Sequence, residues 1–222
     1  NWKTNPISCV RSVANSVNRL QEASQSKIVF FPPAFYLTQL NRLGLSVGSS
    51  HVDRQPLGRD TGSLSLELLA QMTPKPWVMI GHGEVRQRGL TQQSCNQLLS
   101  RALDLNFAIV YCVGESLDQS FSSVLDQLKP LKDAKLNNVY IAYEPLWAIG
   151  STQTPSLEQM VDKFEIIKDY FGNSAINLIY GGGLDEASFL SYWQSPFISG
   201  LLLGRMSQKV DTLVRLLECE RV

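Results

Sequence analysis

The sequence predicts an α/β protein built from parallel strands with helices between them. Three observations carry that reading. Short runs of β-branched and aromatic residues recur along all 222 residues, most without polar alternation, as strands covered on both faces require. Apolar residues at helical spacing fill several of the intervals between these runs. No Gly/Ser-rich or Pro-rich linker, charge block or low-complexity tract breaks the rhythm, so residues 1–222 are expected to form a single domain.

The elements follow in order. A first helix is expected where Ile7, Val10, Val13, Val17 and Leu20 recur at helical spacing. Strand runs then stand at Lys27–Phe31 and Leu45–Val47, a helix at Leu64–Met72, and further strands at Trp77–Ile80, Phe107–Val113 and Val139–Tyr143. Leu157, Met160, Val161, Phe164 and Ile167 mark the clearest helix, with Thr154 as its N-cap and Pro155 at the first helical position. Strands Asn177–Tyr180 and Gly200–Leu203 and a helix over Val210–Leu217 complete the chain.

Repeated βα units with right-handed crossovers give either an open doubly wound sheet or a closed eight-stranded barrel, and the pattern leaves both open. The chain opens on polar Asn1-Trp2-Lys3 and runs directly into a helix, so the strand feeding that helix is expected before residue 1. Seven visible strands and that one make eight.

Composition narrows the partners. Lys+Arg 20 balance Asp+Glu 20, and no long basic run argues for nucleic acid or an anionic membrane surface. The longest apolar stretch, around Phe107–Val113, falls far short of the ~18 residues of a membrane span, and the first residues are no signal peptide; a cytoplasmic protein is expected. Cys9, Cys95, Cys112 and Cys219 are widely spaced and accompanied by only two histidines, His51 and His82, so neither a metal site nor a disulfide framework is expected. Four small buried thiols in a reducing compartment fit better.

Residues that carry chemistry stand just past the carboxyl ends of the apolar runs, where parallel α/β folds build their sites. Lys3, His82, Glu115 and Glu144 all obey that rule. A carboxylate at Glu144, partly desolvated, gains basicity. His82 precedes a helix start at Gly83-Glu84, whose positive end favours a neutral imidazole.

Asn1-Trp2-Lys3-Thr4-Asn5, Ile80-Gly-His-Gly-Glu-Val-Arg86, Tyr111-Cys-Val-Gly-Glu115, Ala142-Tyr-Glu-Pro-Leu-Trp-Ala-Ile-Gly150, Tyr180-Gly-Gly-Gly183 and Leu203-Gly-Arg205 occur in that order. Together they resemble the triosephosphate isomerase family from residue 1 to about residue 207, and the Tyr-Glu-Pro-Leu-Trp-Ala-Ile-Gly segment is its most specific part. The resemblance implies a (β/α)8 barrel and a cofactor-free isomerase that interconverts dihydroxyacetone phosphate and glyceraldehyde 3-phosphate through an enediolate. It makes Glu144 the base, His82 the proton donor and Lys3 a fixed cation, with Asn1 holding a substrate oxygen. Gly150, Gly182, Gly183, Gly204 and Arg205 would present backbone amides to the phosphate, and Pro145–Thr152 would form a closing lid. Gly58-Arg-Asp-Thr-Gly62 matches the loop that joins two subunits in the family, so a homodimer is expected, with Thr61 at the contact.

The chain departs from the family pattern at several points. Gly83 and Gly183 stand where the family has serines, Ser50-His51 where it has Gln-Asn, and Arg205 where a second Gly is common. The two Ser-to-Gly differences motivate an alternative: an impaired barrel relative that binds a small phosphate ligand or a protein partner.

Overall fold

The computed structural model describes residues 1–24, 26–53, 58, 61–73, 75–149, 154–172 and 175–218. In chain order its main elements are α1 (Val10–Ser24), α2 (Leu37–Arg42), β1 (Gly48–Ser49), α3 (Leu66–Met72), β2 (Trp77–Ile80), α4 (Gly83–Gln87), α5 (Gln92–Asp104), β3 (Ala108–Val113), α6 (Ser122–Leu128), β4 (Val139–Tyr143), α7 (Leu157–Tyr170), β5 (Asn177–Tyr180), α8 (Glu186–Trp193), β6 (Gly200–Leu201) and α9 (Val210–Glu218). They gather into two compact units, Asn1–Val78 with Gly204–Val222, and Met79–Leu203.

In the first unit, Phe30 N–H donates to Ser46 O at 2.8 Å and Phe30 O accepts from Gly48 N at 3.0 Å, a single parallel bridge to Val47. The run expected as a strand over Lys27–Phe31 is reduced to that bridge. Pro32 and Pro33 follow at once and offer no N–H to continue the ladder. Pairing expected at Leu45–Val47 lies instead at Val47–Ser49, where β1 runs parallel to Trp77–Val78. Trp2 N–H donates to Phe31 O at 2.9 Å, so the start of the chain lies along the same segment. Helix α1 begins three residues later than Ile7 and buries Ala14, Val17, Leu20 and Ala23; α9 packs beside it and buries Leu213 and Val214.

In the second unit β3 and β4 pair in parallel from Ile109 opposite Val139 to Val113 opposite Tyr143. β4 and β5 pair from Tyr140 opposite Asn177 to Tyr143 opposite Tyr180. Val113, Tyr143 and Tyr180 therefore stand abreast, and the residues after them emerge together: Gly114, Glu144 and Gly181. β6 keeps only Gly200–Leu201 of the expected Gly200–Leu203 run, beside Ile179 and Tyr180.

Aromatic rings cover this sheet. Phe121, Tyr143, Phe164 and Tyr180 meet edge to face in sequence, and Tyr180 stacks on Tyr192 with centroids 4.3 Å apart. Helix α7, which supplies Phe164, starts two residues later than Thr154 and Pro155 suggest. Its cap is Ser156, whose Oγ accepts from Gln159 N at 3.3 Å while Gln159 Oε1 accepts from Ser156 N at 2.9 Å. Reciprocal Ser-x-x-Gln bonding satisfies two orphan amides where Thr154 would satisfy one.

Among the described residues no helix is long and apolar enough to cross a membrane. Cys95 and Cys112 are buried free thiols, as expected, whereas Cys9 is exposed; Cys219 lies outside the described residues.

Candidate active site

The site grows from the level ends of β3, β4 and β5. Glu144 N–H continues the ladder to Val113 O at 2.8 Å, and Gly181 N–H donates to Tyr143 O at 2.8 Å. At Gly114 the space a Cβ would need is already filled by the Glu144 carbonyl oxygen, so only glycine lets the two strand ends approach this closely. Gln127 of α6 fixes that glycine by accepting from Gly114 N at 3.1 Å and donating to Gly114 O at 2.8 Å.

This frame delivers the Glu144 side chain to a nearly dry position, 1% exposed. Its Oε2 accepts the Gly83 N–H at 2.8 Å. Its Oε1 is buried without a hydrogen-bond donor and lies 3.5 Å from His82 Nε2. Burial raises the Glu144 pKa above the ordinary carboxylate range, against opposing pulls from His82, the Gly83 N–H, the Cys112 thiol and Arg86. Burial, reinforced by the adjacent Glu144 charge, likewise pushes the Cys112 thiol well up, which keeps it protonated.

His82 is set by the helix it begins. It is the N-cap of α4, and its Nδ1 accepts the Glu84 N–H at 3.2 Å. A backbone amide always carries its proton, so Nδ1 must be bare and the single proton of a neutral imidazole sits on Nε2, on the side of Glu144. The strand-to-helix turn just ahead of it needs Gly81, at φ 81°, and is clamped by Arg86. The guanidinium donates to Gly81 O at 2.7 Å, to Cys112 O at 3.2 Å and to Gln92 Oε1 at 2.9 Å, tying the ends of β2 and β3 together.

A second buried glutamate lies nearby. Glu115, 6% exposed, accepts from Tyr143 Oη at 2.8 Å. Burial, with the Glu115 charge beside it, holds the Tyr143 phenol far above its usual range, so it remains a donor. Glu115 also anchors the loop after Glu144, because its carbonyl accepts from Leu146 N at 3.0 Å. The far end of that loop is held by Tyr192 Oη, which donates to Pro155 O at 2.8 Å.

Of the residues expected to bind phosphate, Gly182 and Gly183 stand just beyond β5, half-buried, in the same unit as His82 and Glu144. Gly150 lies outside the described residues, as do Arg59 and Asp60 of the expected subunit loop. Asn1, Lys3, Gly204 and Arg205 belong to the first unit, which brings them together. Asn1 Oδ1 accepts from Lys3 N at 3.1 Å. Ser207 Oγ donates to Asn1 O at 3.3 Å and to Gly204 O at 2.6 Å. A Cβ on Gly204 would stand 3.7 Å from Lys3 Cε, and Arg205 opens the 3-10 turn Arg205–Gln208. Lys3 has φ 57°, a left-handed backbone rare for a residue with a side chain; such strain gathers at functional positions.

Sequence reading missed Arg86, Gln127 and Tyr143. Each acts through partners 13 to 28 residues away, in Gln127–Gly114, Arg86–Cys112 and Tyr143–Glu115. Only the position of Tyr143, one residue before the base, was a usable signal.

A parallel α/β unit that places a desolvated glutamate against the Nε2 of a histidine whose Nδ1 accepts a backbone amide defines a class, the enzymes that move protons with a carboxylate and an imidazole. Comparison with known proteins is narrower. A profile of the triosephosphate isomerase family matches residues 1–220. Proteins named triosephosphate isomerase include one from Mesomycoplasma hyorhinis, 32% identical over 98% of this chain and 95% of its own. Another, from Leptospira borgpetersenii serovar Hardjo-bovis (strain JB197), is 31% identical over 96% of this chain and 95% of its own. A third, from Synechococcus sp. (strain JA-2-3B'a(2-13)), is 30% identical over 87% of this chain and 82% of its own. The chain belongs to the triosephosphate isomerase family, with the (β/α)8 fold class and the isomerase chemistry that membership carries.

Proposed function

We propose that this chain interconverts dihydroxyacetone phosphate and glyceraldehyde 3-phosphate by proton transfer, using Glu144, His82 and Lys3. One observation carries the assignment of roles: an unpartnered, buried Glu144 Oε1 lies 3.5 Å from His82 Nε2, whose companion nitrogen is occupied by the Glu84 amide.

Glu144 removes a proton from the hydroxymethyl carbon beside the substrate carbonyl. Electrons move onto the carbonyl oxygen, where the His82 Nε2 proton meets the developing charge. His82 Nε2 gives its proton to that oxygen and takes up the proton of the neighbouring hydroxyl, and Glu144 returns its proton to the former carbonyl carbon, so the hydroxymethyl carbon becomes the aldehyde and the carbonyl carbon the alcohol. Lys3 supplies a positive charge, and Asn1 an amide, for the substrate oxygens. Backbone amides at Gly150, Gly182, Gly183, Gly204 and Arg205 bind the phosphate, and Pro145–Thr152 closes over it. No cofactor or metal enters this sequence. The cytoplasm and a single barrel domain over residues 1–222 complete the reading, together with the place in glycolysis and gluconeogenesis that this reaction occupies.

A coupled assay with glyceraldehyde 3-phosphate tests it. Turnover is expected; thermal stabilisation by a phosphate ligand without turnover would instead favour a binding relative that has lost catalysis. The dimer rests on the Gly58–Gly62 match and is supported by Phe35, whose ring is 84% exposed in the same unit. Thr61→Glu is expected to shift sedimentation toward monomer and to lower activity in step. A fully active wild-type monomer at assay concentration would end that part of the proposal.

A further inference from the structure

Gly83 stands where the family pattern has serine, and its surroundings show what has taken the vacated space. A Cβ built on Gly83 would lie 2.5 Å from Leu146 Cδ2, 3.5 Å from Ile149 Cδ1 and 3.4 Å from Glu144 Oε2. Both apolar side chains come from the loop that follows the base. Leu146 is held there from behind, because its N–H donates to Glu115 O at 3.0 Å, and its own carbonyl accepts from Ile149 N at 3.3 Å. The other serine position is different. At Gly183 a Cβ would meet only Ala148 O, at 3.2 Å.

We infer that Gly83 and Leu146 are a size-matched pair, in which the absence of a side chain at 83 lets Leu146 seal the Oε2 side of the Glu144 carboxylate. This makes Gly83 and Leu146 positioning residues for the base, and it rests on the catalytic reading of Glu144 given above. Two consequences follow from the geometry. Oε2 holds the Gly83 N–H at 2.8 Å while Oε1 has no hydrogen-bond partner, so Oε1 is the oxygen left to accept a proton. Water that a polar side chain at 83 would admit is replaced by methyl groups, so the base is kept dry by its own loop. The titratable and charged groups that face this carboxylate are His82 and Arg86, from the end of β2 and α4, and Cys112 of β3. None of them is altered by changing the pair.

The test is a double-mutant cycle with Gly83→Ala and Leu146→Val. The added methyl displaces the flexible end of Leu146, and the shortened side chain withdraws a methyl from the same place. Gly83→Ala alone is expected to lower kcat about tenfold with KM within about twofold, as misplacement of a reacting group does. Admitting water to Oε2 also moves the acidic limb of kcat/KM to lower pH. The double variant is expected to recover to within about threefold of wild type, so the losses are not additive. Leu146→Ala, which opens the seal without crowding Gly83, is expected to shift the acidic limb in the same direction.

Additive losses in the cycle, or an unmoved acidic limb in both Gly83→Ala and Leu146→Ala, would overturn the pairing. A wild-type protein without isomerase activity would overturn the catalytic reading instead. In that case the pairing is still read from thermal unfolding, where midpoint shifts that add across the cycle would refute it and non-additive shifts would support it.

Discussion

Glu115 and Glu144 are two buried glutamates placed just past the ends of adjacent parallel strands, 6% and 1% exposed, each with one oxygen hydrogen-bonded and the other buried without a partner, yet they have different neighbours. Glu115 receives a phenol proton at 2.8 Å and lends its backbone carbonyl to the next loop, so it is bound into the frame. Glu144 receives one amide at 2.8 Å and turns its other oxygen to an imidazole at 3.5 Å, so its unbonded oxygen lies beside a group that can exchange a proton. Residue type, burial and position along the strand are shared. What separates support from chemistry is the neighbour: Tyr143 in one case, His82 in the other.

Four measurements test whether the neighbour decides the role. The largest effect is expected from shortening each acid by one methylene. Glu144→Asp should lower kcat by about a hundredfold or more with phosphate-ligand affinity nearly unchanged, because the reacting oxygen retracts. Glu115→Asp should lower kcat less than tenfold and act mainly on the melting temperature. Equal kcat losses in the two variants would erase the distinction.

Next comes His82→Gln, which keeps a donor but loses the imidazole. A fall in kcat of about a hundredfold is expected. Wild-type activity would mean that Glu144 works without the neighbour that distinguishes it. Tyr143→Phe attacks the other glutamate by removing its donor. Leaving that buried acceptor unsatisfied costs about 1–3 kcal/mol, read as a lower melting temperature with most of the activity preserved. A variant as stable as wild type would show that Glu115 is not held through Tyr143.

The smallest effect is in the pH dependence of stability. Glu144 has a folded-state pKa raised by burial, so its neutral form suits the fold and its ionised form does not. Its contribution to stability is therefore fully present below the unfolded carboxylate value of 4.5 and is lost as pH rises through the raised folded value. Glu144→Gln removes that loss and should gain stability relative to wild type as pH rises. A difference in melting temperature that stays constant with pH would contradict it.

The placement of residues in the sequence reveals one of the two glutamates better than the other. Glu144 could be singled out because the residues around it, Tyr143-Glu-Pro-Leu-Trp-Ala-Ile-Gly150, form a local motif. The bonds that make Glu115 a support reach Tyr143, 28 positions on, and no local pattern records them. The same separation of scales explains the fold. Trp77–Ile80, Val139–Tyr143 and Asn177–Tyr180 were legible as strands because burial on both faces writes an apolar run into the chain. Lys27–Phe31 carries such a run too, but Pro32 and Pro33 and the position of Gly48 decide how much of it pairs. At α7, Thr154 and Ser156 are both competent caps, and the reciprocal bond with Gln159 selects Ser156.

The alternation of strand and helix, the residues that carry charge and protons, and the family to which they belong are written along the chain. These depend on side-chain type and short-range spacing, which a linear chain states directly. Tertiary structure alone decided that Val113, Tyr143 and Tyr180 end level, that Glu144 is dry, that the His82 proton sits on Nε2, and that Leu146 fills the place of a side chain at Gly83. Register, desolvation and steric fit are properties of residues far apart in the chain and close in space, so no stretch of sequence contains them.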